Sequence, residues 1–220
     1  MPLTARVQLT ASEPALDCDL CPRLATFRRD NQGSYPTFHN APVASFGPTD
    51  ARVLIIGMAP GLKGANQTGR PFTGDYAGDL LYATLHAHGF AEGRYDRRAD
   101  DGLGLIDCRI TNAVRCVPPQ NKPIGAEVAA CRRFLSATLA EMPSLRVLLV
   151  LGGLAHGATL AALGLKKSHV KFGHNTAHAL PDGRWLVGSY HCSRYNTNTG
   201  RLTEAMFNDV FIRIRALLDG

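Results

Sequence analysis

Val53-Leu54-Ile55-Ile56-Gly57-Met58-Ala59-Pro60-Gly61-Leu62-Lys63-Gly64-Ala65-Asn66-Gln67-Thr68-Gly69-Arg70-Pro71-Phe72-Thr73-Gly74-Asp75 changes character abruptly after its fourth residue. Val53–Ile56 is aliphatic, β-branched and too short for a helix, which predicts a buried strand. Glycine and proline then take over. Glycine lacks a Cβ and tolerates positive φ, so such a loop can bring backbone N–H groups close to a bound molecule. Beyond Asp75, the spacing of Leu80, Leu81 and Leu85 is helical, which puts Asp75 at a helix N-terminus, where acceptors are favoured. Strand, glycine-rich loop and helix together predict a ligand pocket at the carboxyl edge of a sheet. No Gly-Lys-Ser/Thr ends the loop, and the glycines at 57, 61 and 64 lack dinucleotide spacing, which disfavours both a P-loop and a Rossmann fingerprint. Phe72 and Asp75 are the distinctive side chains. On this stretch alone, a core plug and a helix cap describe them as well as a ligand platform and a reacting carboxylate do.

Outward from this segment, a short amphipathic helix is expected at Cys18–Asp30 and a turn-rich connection at 31–48. The first strand spans Arg52–Ala59, followed by a helix from Asp75 to Gly89. A second strand at Ile106–Val114 leads to an extended loop, Pro118–Pro123, and a helix at Gly125–Met142. A third strand, Arg146–Gly152, precedes a helix at Gly153–Leu163 and a basic loop or edge segment at Lys166–Ala179. Leu180-Pro181-Asp182-Gly183-Arg184 reads as a turn before strand four, Trp185–Tyr190, and Leu202–Leu218 as a closing helix. This alternation predicts an open parallel sheet with helices on both faces. Gly57–Asp75, Asn112–Asn121 and His191–Asn196 then converge at one edge, where such sheets bind ligands.

The chain has 220 residues, 45% hydrophobic and 19% charged, ordinary values for one folded domain spanning 1–220. No apolar run approaches the ~18 residues of a membrane span, and Met1–Glu13 lacks a basic-then-apolar leader, so a cytoplasmic protein without membrane contact is expected. Lys and Arg number 24 against 18 Asp and Glu, a net charge of +6 that favours a polyanionic partner. Clusters occur at Arg94, Arg97 and Arg98, at Arg132-Arg133, and at Lys166, Lys167 and Lys171; a merely solvated basic surface explains the charge equally well. The six cysteines sit at 18, 21, 108, 116, 131 and 192. Cys18-Asp19-Leu20-Cys21 suggests metal binding first, but a zinc ribbon needs a second such pair and none exists. An iron–sulfur cube can gather thiolates from distant positions. Spacing alone leaves the choice of four from six open.

Gly57-Met58-Ala59-Pro60-Gly61, Thr68-Gly69-Arg70-Pro71-Phe72-Thr73-Gly74, Thr111-Asn112-Ala113-Val114-Arg115-Cys116-Val117-Pro118-Pro119 and His191-Cys192-Ser193 together resemble the uracil-DNA glycosylase superfamily. The likeness is nearest to its iron–sulfur branch, and within that to the UDGb (family 5) enzymes, and it runs from Cys18 to the closing helix. It implies a three-layer α/β/α sandwich around a four-stranded parallel sheet. It also implies a structural [4Fe-4S] cluster on Cys18, Cys21, Cys116 and Cys131, holding the 18–30 segment on the domain and leaving Cys108 and Cys192 free. The implied reaction is excision of uracil, with hypoxanthine or other deaminated bases as further substrates, from DNA by hydrolysis of the N-glycosidic bond. The implied product is an abasic site, and a monomer is expected. Two departures stand out: Met58 occupies a position where UDGa relatives carry Glu and other branches a water-activating Asp or Asn, and His-Cys-Ser replaces their His-Pro-Ser.

Since Met58 cannot titrate, Asp75 is the expected catalytic carboxylate, stabilising the sugar cation or orienting water, with Asn121 sharing the water. His191 is expected to donate to the base oxygen; a neutral imidazole suffices, and one such preplaced donor is worth about 3 kcal/mol. Asn112 would bind the base edge, Phe72 stack on its face for about 1–3 kcal/mol, and Met58 and Ala59 complete the base pocket. Pro60, Gly61, Ser193, Arg194, Tyr195 and Asn196 would hold the DNA backbone and the vacated duplex. The competing expectation is a non-enzymatic iron–sulfur protein that binds DNA or transfers electrons; the departure at Met58 sustains it.

Overall fold

The computed structural model describes residues 11–220. In chain order these form α1 (Pro22–Ser34), β1 (Val53–Gly57), α2 (Ala65–Thr68), α3 (Tyr76–Ala87), β2 (Ala91–Glu92), β3 (Gly104–Leu105) and β4 (Cys108–Asn112). Then follow α4 (Gly125–Ala140), β5 (Val147–Leu151), α5 (Gly153–Ala162), β6 (Thr176–Ala179), β7 (Trp185–Ser189), α6 (Arg194–Asn198) and α7 (Glu204–Asp219). Single 3-10 turns occupy Pro119–Asn121 and Lys167–His169.

β4, β1, β5 and β7 lie side by side in that order, all parallel. Their residues alternate between two cores, as period-2 strands must when both sheet faces are covered. Val53, Ile55, Val147, Leu149 and Val187 pack with Leu81 and Leu85 of α3 and with Phe207, Val210, Phe211 and Ile214 of α7. Leu54, Ile56, Leu148, Val150 and Leu186 face Leu135 and Leu139 of α4 and Ala155, Ala158 and Leu160 of α5. The α7 residues recur at helical spacing, and Thr203 caps that helix by accepting from the Met206 N–H at 3.2 Å.

The expectation of a four-stranded, wholly parallel sheet is corrected to five strands. β6 adds antiparallel to β7, with Thr176 opposite Gly188 and Ala179 opposite Trp185. The turn between them closes through Leu180 N–H to Arg184 O (2.8 Å), with Gly183 at φ +85, so a short hairpin caps the sheet edge. β6 lies within the stretch expected to be a basic loop or edge segment. A second difference is at α1, which runs past Asp30 to Ser34. Leu24, Ala25, Arg28 and Asn31 share one buried face, and that burial overrides the turn-favouring Asn31-Gln32-Gly33-Ser34. β2 and β3 form a separate two-residue ladder.

Candidate active site

β1 and β5 meet where the connections reverse direction across the sheet, and beyond their carboxyl ends lies a cleft of about 740 Å³. Met58, Ala59, Pro60 and Gly61 line it after β1, Phe72 and Asp75 from the end of the same loop, Asn112 from β4, and His191, Ser193 and Arg194 after β7. Asn121 reaches it from the turn that follows β4. Two of the residues expected to touch DNA lie off the cleft wall. Tyr195 is exposed on α6, and the Asn196 amide donates to the His191 carbonyl at 2.8 Å, so it braces the histidine loop.

Asp75 is the N-cap of α3: one carboxylate oxygen accepts from the Gly78 N–H at 3.2 Å. A cap of this kind is worth about 1 kcal/mol. The other oxygen lies against the glycine loop, where a Cβ on Gly64 would sit 2.4 Å from Oδ2 and one on Gly61 3.2 Å from it. The glycines that make the loop passable thus also make room for the carboxylate.

Phe72 adopts φ +52, a left-handed conformation costing a non-glycine residue about 1–2 kcal/mol. This turns its ring across Gly57, where a Cβ would come within 2.6 Å of Cζ and 2.4 Å of the Asn112 Oδ1. Asn112 pairs with Gly57 in the β1–β4 ladder, so the aromatic and the amide converge on one glycine. The His191 ring lies 6.0 Å from the Phe72 ring at 29°. Burial lowers the His191 pKa below the ordinary histidine value, and the nearby Asp75 carboxylate opposes this only in part, so the imidazole is neutral at pH 7. The next residue, Cys192, is fully buried and donates to the Ala77 carbonyl at 3.4 Å, tying the histidine loop to the first turn of α3.

Sequence reasoning missed several cleft residues. Lys63 is exposed on the rim, and Tyr76 lines the wall, its ring 5.5 Å from the guanidinium of the expected Arg194. Leu151, Gly152, Gly153 and Leu154 bring the start of α5 to the cleft; Gly152 holds φ +96 and gives that helix no side-chain cap. The glycine pair after an aliphatic strand was the available signal.

On the far side of the β1 loop, Cys18, Cys21, Cys116 and Cys131 line one small apolar pocket with Leu24 and Phe134. Cys108 and Cys192 are buried elsewhere in the core. Desolvation first, then neighbouring thiols and Glu127, push Cys21 up to about 11, and burial pushes Cys116 up to about 12. Arg28 Nη1 donates to the Cys18 carbonyl at 2.9 Å and lies 3.9 Å from the Cys116 sulfur, while the Arg115 N–H is 3.4 Å from the Cys131 sulfur. Among the described residues, no three His, Cys, Asp or Glu side chains close around a single metal ion. Four thiols spread about an apolar pocket, with N–H donors aimed at the sulfurs, suit a polynuclear centre. The pocket is wired to the cleft, since Ala113 N–H bonds to Gly57 O (2.9 Å) and Val114 N–H to Met58 O (3.0 Å).

Residues 44–215 match the family described as the Uracil DNA glycosylase superfamily. A Type-5 uracil-DNA glycosylase of Thermus thermophilus is 44% identical over 205 residues, covering 91% of this chain and 93% of the relative. The Type-5 uracil-DNA glycosylase of Mycobacterium tuberculosis is 38% identical over 208 residues (91% and 78% of the two chains). That of Pyrobaculum aerophilum is 36% identical over 208 residues (91% and 89%).

Proposed function

Because the chain belongs to the uracil DNA glycosylase superfamily, we propose that its cleft hydrolyses the N-glycosidic bond of uracil in DNA, releasing the base and leaving an abasic site. The single observation that carries this reading is that Asp75 and His191 line one cleft, roomy enough to admit an extruded nucleotide, together with Phe72 and Asn112. Breaking the bond leaves positive character on the deoxyribose and negative charge on the departing base. Asp75 answers the first and, with Asn121, orients the water. His191 answers the second as a neutral donor to the base oxygen, Asn112 binds the base edge, and Phe72 covers its face. Met58 and Ala59 form the pocket floor without charge, and the same reading extends to hypoxanthine and other deaminated bases. Pro60, Gly61, Ser193 and Arg194 hold the strand beside the extruded nucleotide, and exposed Tyr195 meets the duplex it leaves.

Cys18, Cys21, Cys116 and Cys131 are proposed to hold a [4Fe-4S] cluster, whose contribution is to cross-link the N-terminal segment to the 116–131 loop. The purified protein should then be brown and contain iron and acid-labile sulfide; a colourless protein with stoichiometric zinc would overturn that assignment. For the chemistry, Asp75→Ala and His191→Ala should each slow single-turnover uracil release by about 10²-fold or more while DNA affinity is retained. Parent rates in both variants would sink the assignment of roles.

A further inference from the structure

Arg70 is buried beneath the cleft and touches none of its open surface. Its guanidinium makes two parallel 2.8 Å bonds to the carboxylate oxygens of Asp101, and its Nε donates to Thr73 Oγ1 at 2.8 Å. Three rings surround it, with centroids at 5.1 Å (Phe46), 5.4 Å (Tyr82) and 5.8 Å (Tyr95). Two of those rings grip the backbone that carries Phe72. Tyr82 Oη donates to the Pro71 carbonyl at 2.6 Å, and Tyr95 Oη lies 3.5 Å from the Phe72 carbonyl. The same carbonyl is pressed on the start of α3, since a Cβ on Gly78 would lie 1.7 Å from it. Asp101 is itself fixed by the N–H groups of Asp96 (2.8 Å) and Leu103 (3.1 Å). A left-handed phenylalanine persists only where its surroundings over-determine it, and here the surroundings are a cation, its carboxylate and three aromatic rings.

We propose that Arg70, clamped by Asp101 and sheathed by Phe46, Tyr82 and Tyr95, is the positioning residue that fixes the Phe72 ring at the stacking angle for the extruded base. The inference rests on the stacking role given to Phe72 above. Lysine at 70 keeps the charge but cannot make the planar two-bond contact or the stacked geometry. Asparagine at 101 keeps the shape and removes the charge.

The test is a double-mutant cycle on single-turnover uracil release, using Arg70→Lys, Asp101→Asn, Phe72→Ala and the paired variants, each checked for a native melting transition and retained cofactor colour. Arg70→Lys and Asp101→Asn should each slow base release at least tenfold with the dissociation constant for abasic-site DNA little changed. Adding either to Phe72→Ala should cost almost nothing more, whereas adding either to Ser193→Ala should multiply. A merely structural Arg70 would instead multiply with Phe72→Ala, and that result would overturn the proposal. If Phe72→Ala is slow but Arg70→Lys and Asp101→Asn keep the parent rate, positioning by Arg70 alone is overturned. If Phe72→Ala keeps the parent rate, the stacking role falls and this inference with it. If Arg70→Lys fails to give a native melting transition, Asp101→Asn in the same cycle decides between these outcomes.

Discussion

Gly64 shows how narrowly the Asp75 carboxylate is accommodated. A methyl group there would overlap Asp75 Oδ2 at 2.4 Å, and the Gly64 backbone, at φ −117 and ψ −116, lies outside the regions that other residues favour. Gly64→Ala should therefore push the carboxylate aside and slow base release by about 10²-fold, the scale of losing one preorganised group, with the circular dichroism spectrum unchanged. A parent rate in that variant would mean that the loop yields and the carboxylate position does not matter. As cleft residues, Asp75 and His191 were legible in the sequence: Asp75 stands where a glycine-rich loop gives way to helical spacing, His191 where a strand ends, and each adjoins a recognisable motif. Arg70 was quoted within such a motif, but its partner Asp101 lies in a different polar segment and only folding brings the two together. Lys63 carried no local signal that would separate it from any other surface lysine.

Among the elements, α4 depends on a single acid. Glu127, almost fully buried, accepts from the Ile124 N–H at 2.9 Å and from Arg23 Nε and Nη2 at 2.7 and 2.9 Å. Arg23, on α1, also donates to the Lys122 carbonyl at 3.0 Å. These bonds pin the turn in which Gln120 and Asn121 hold φ +56 and +55. Glu127→Gln should cost about 1–3 kcal/mol in urea denaturation, the value of charge-assisted bonds to a buried group, and should lower base release because Asn121 loses its fixed approach. An unchanged rate beside the lost stability would confine Glu127 to a structural role. The four parallel strands and their helices could be read from hydrophobic runs alone. β6 was legible only as part of a basic loop or edge segment, because the alternation in Thr176-Ala177-His178-Ala179 rests on alanine, a poor strand former, and its strand geometry comes from pairing with β7. The turn joining them was plain in Pro181-Asp182-Gly183.

For the whole molecule, acid is the revealing variable. His156, His174 and His191 all have pKa values lowered by burial. The unfolded chain binds protons near pH 6.5 where the native chain does not, so stability falls as pH drops through that value. The urea midpoint should decline between pH 7.5 and 5.5, and His156→Gln, which removes a buried ring with an unpartnered Nε2, should flatten the decline. A midpoint independent of pH in that window would contradict the buried neutral state. Asp101 and Asp182, whose pKa values are lowered, contribute stability that is full above the ordinary carboxylate range and is lost only as pH falls below it, outside this window. With a net charge of +6, affinity for undamaged DNA should fall steeply with salt, by roughly 0.9 log units per log unit of salt for each phosphate contact; Lys63→Ala or Arg194→Ala should make that slope shallower by about one contact.

The pocket shared by Cys18, Cys21, Cys116 and Cys131 also imposes an order on the protein's birth. About a hundred residues separate its first pair of sulfurs from its second, a delay of roughly 5–20 s at ordinary translation speeds. Throughout that interval the early pair leaves the ribosome without its permanent companions, open to oxidants and stray metals. The cell's supply of reductant during synthesis therefore bears on how much finished protein it obtains.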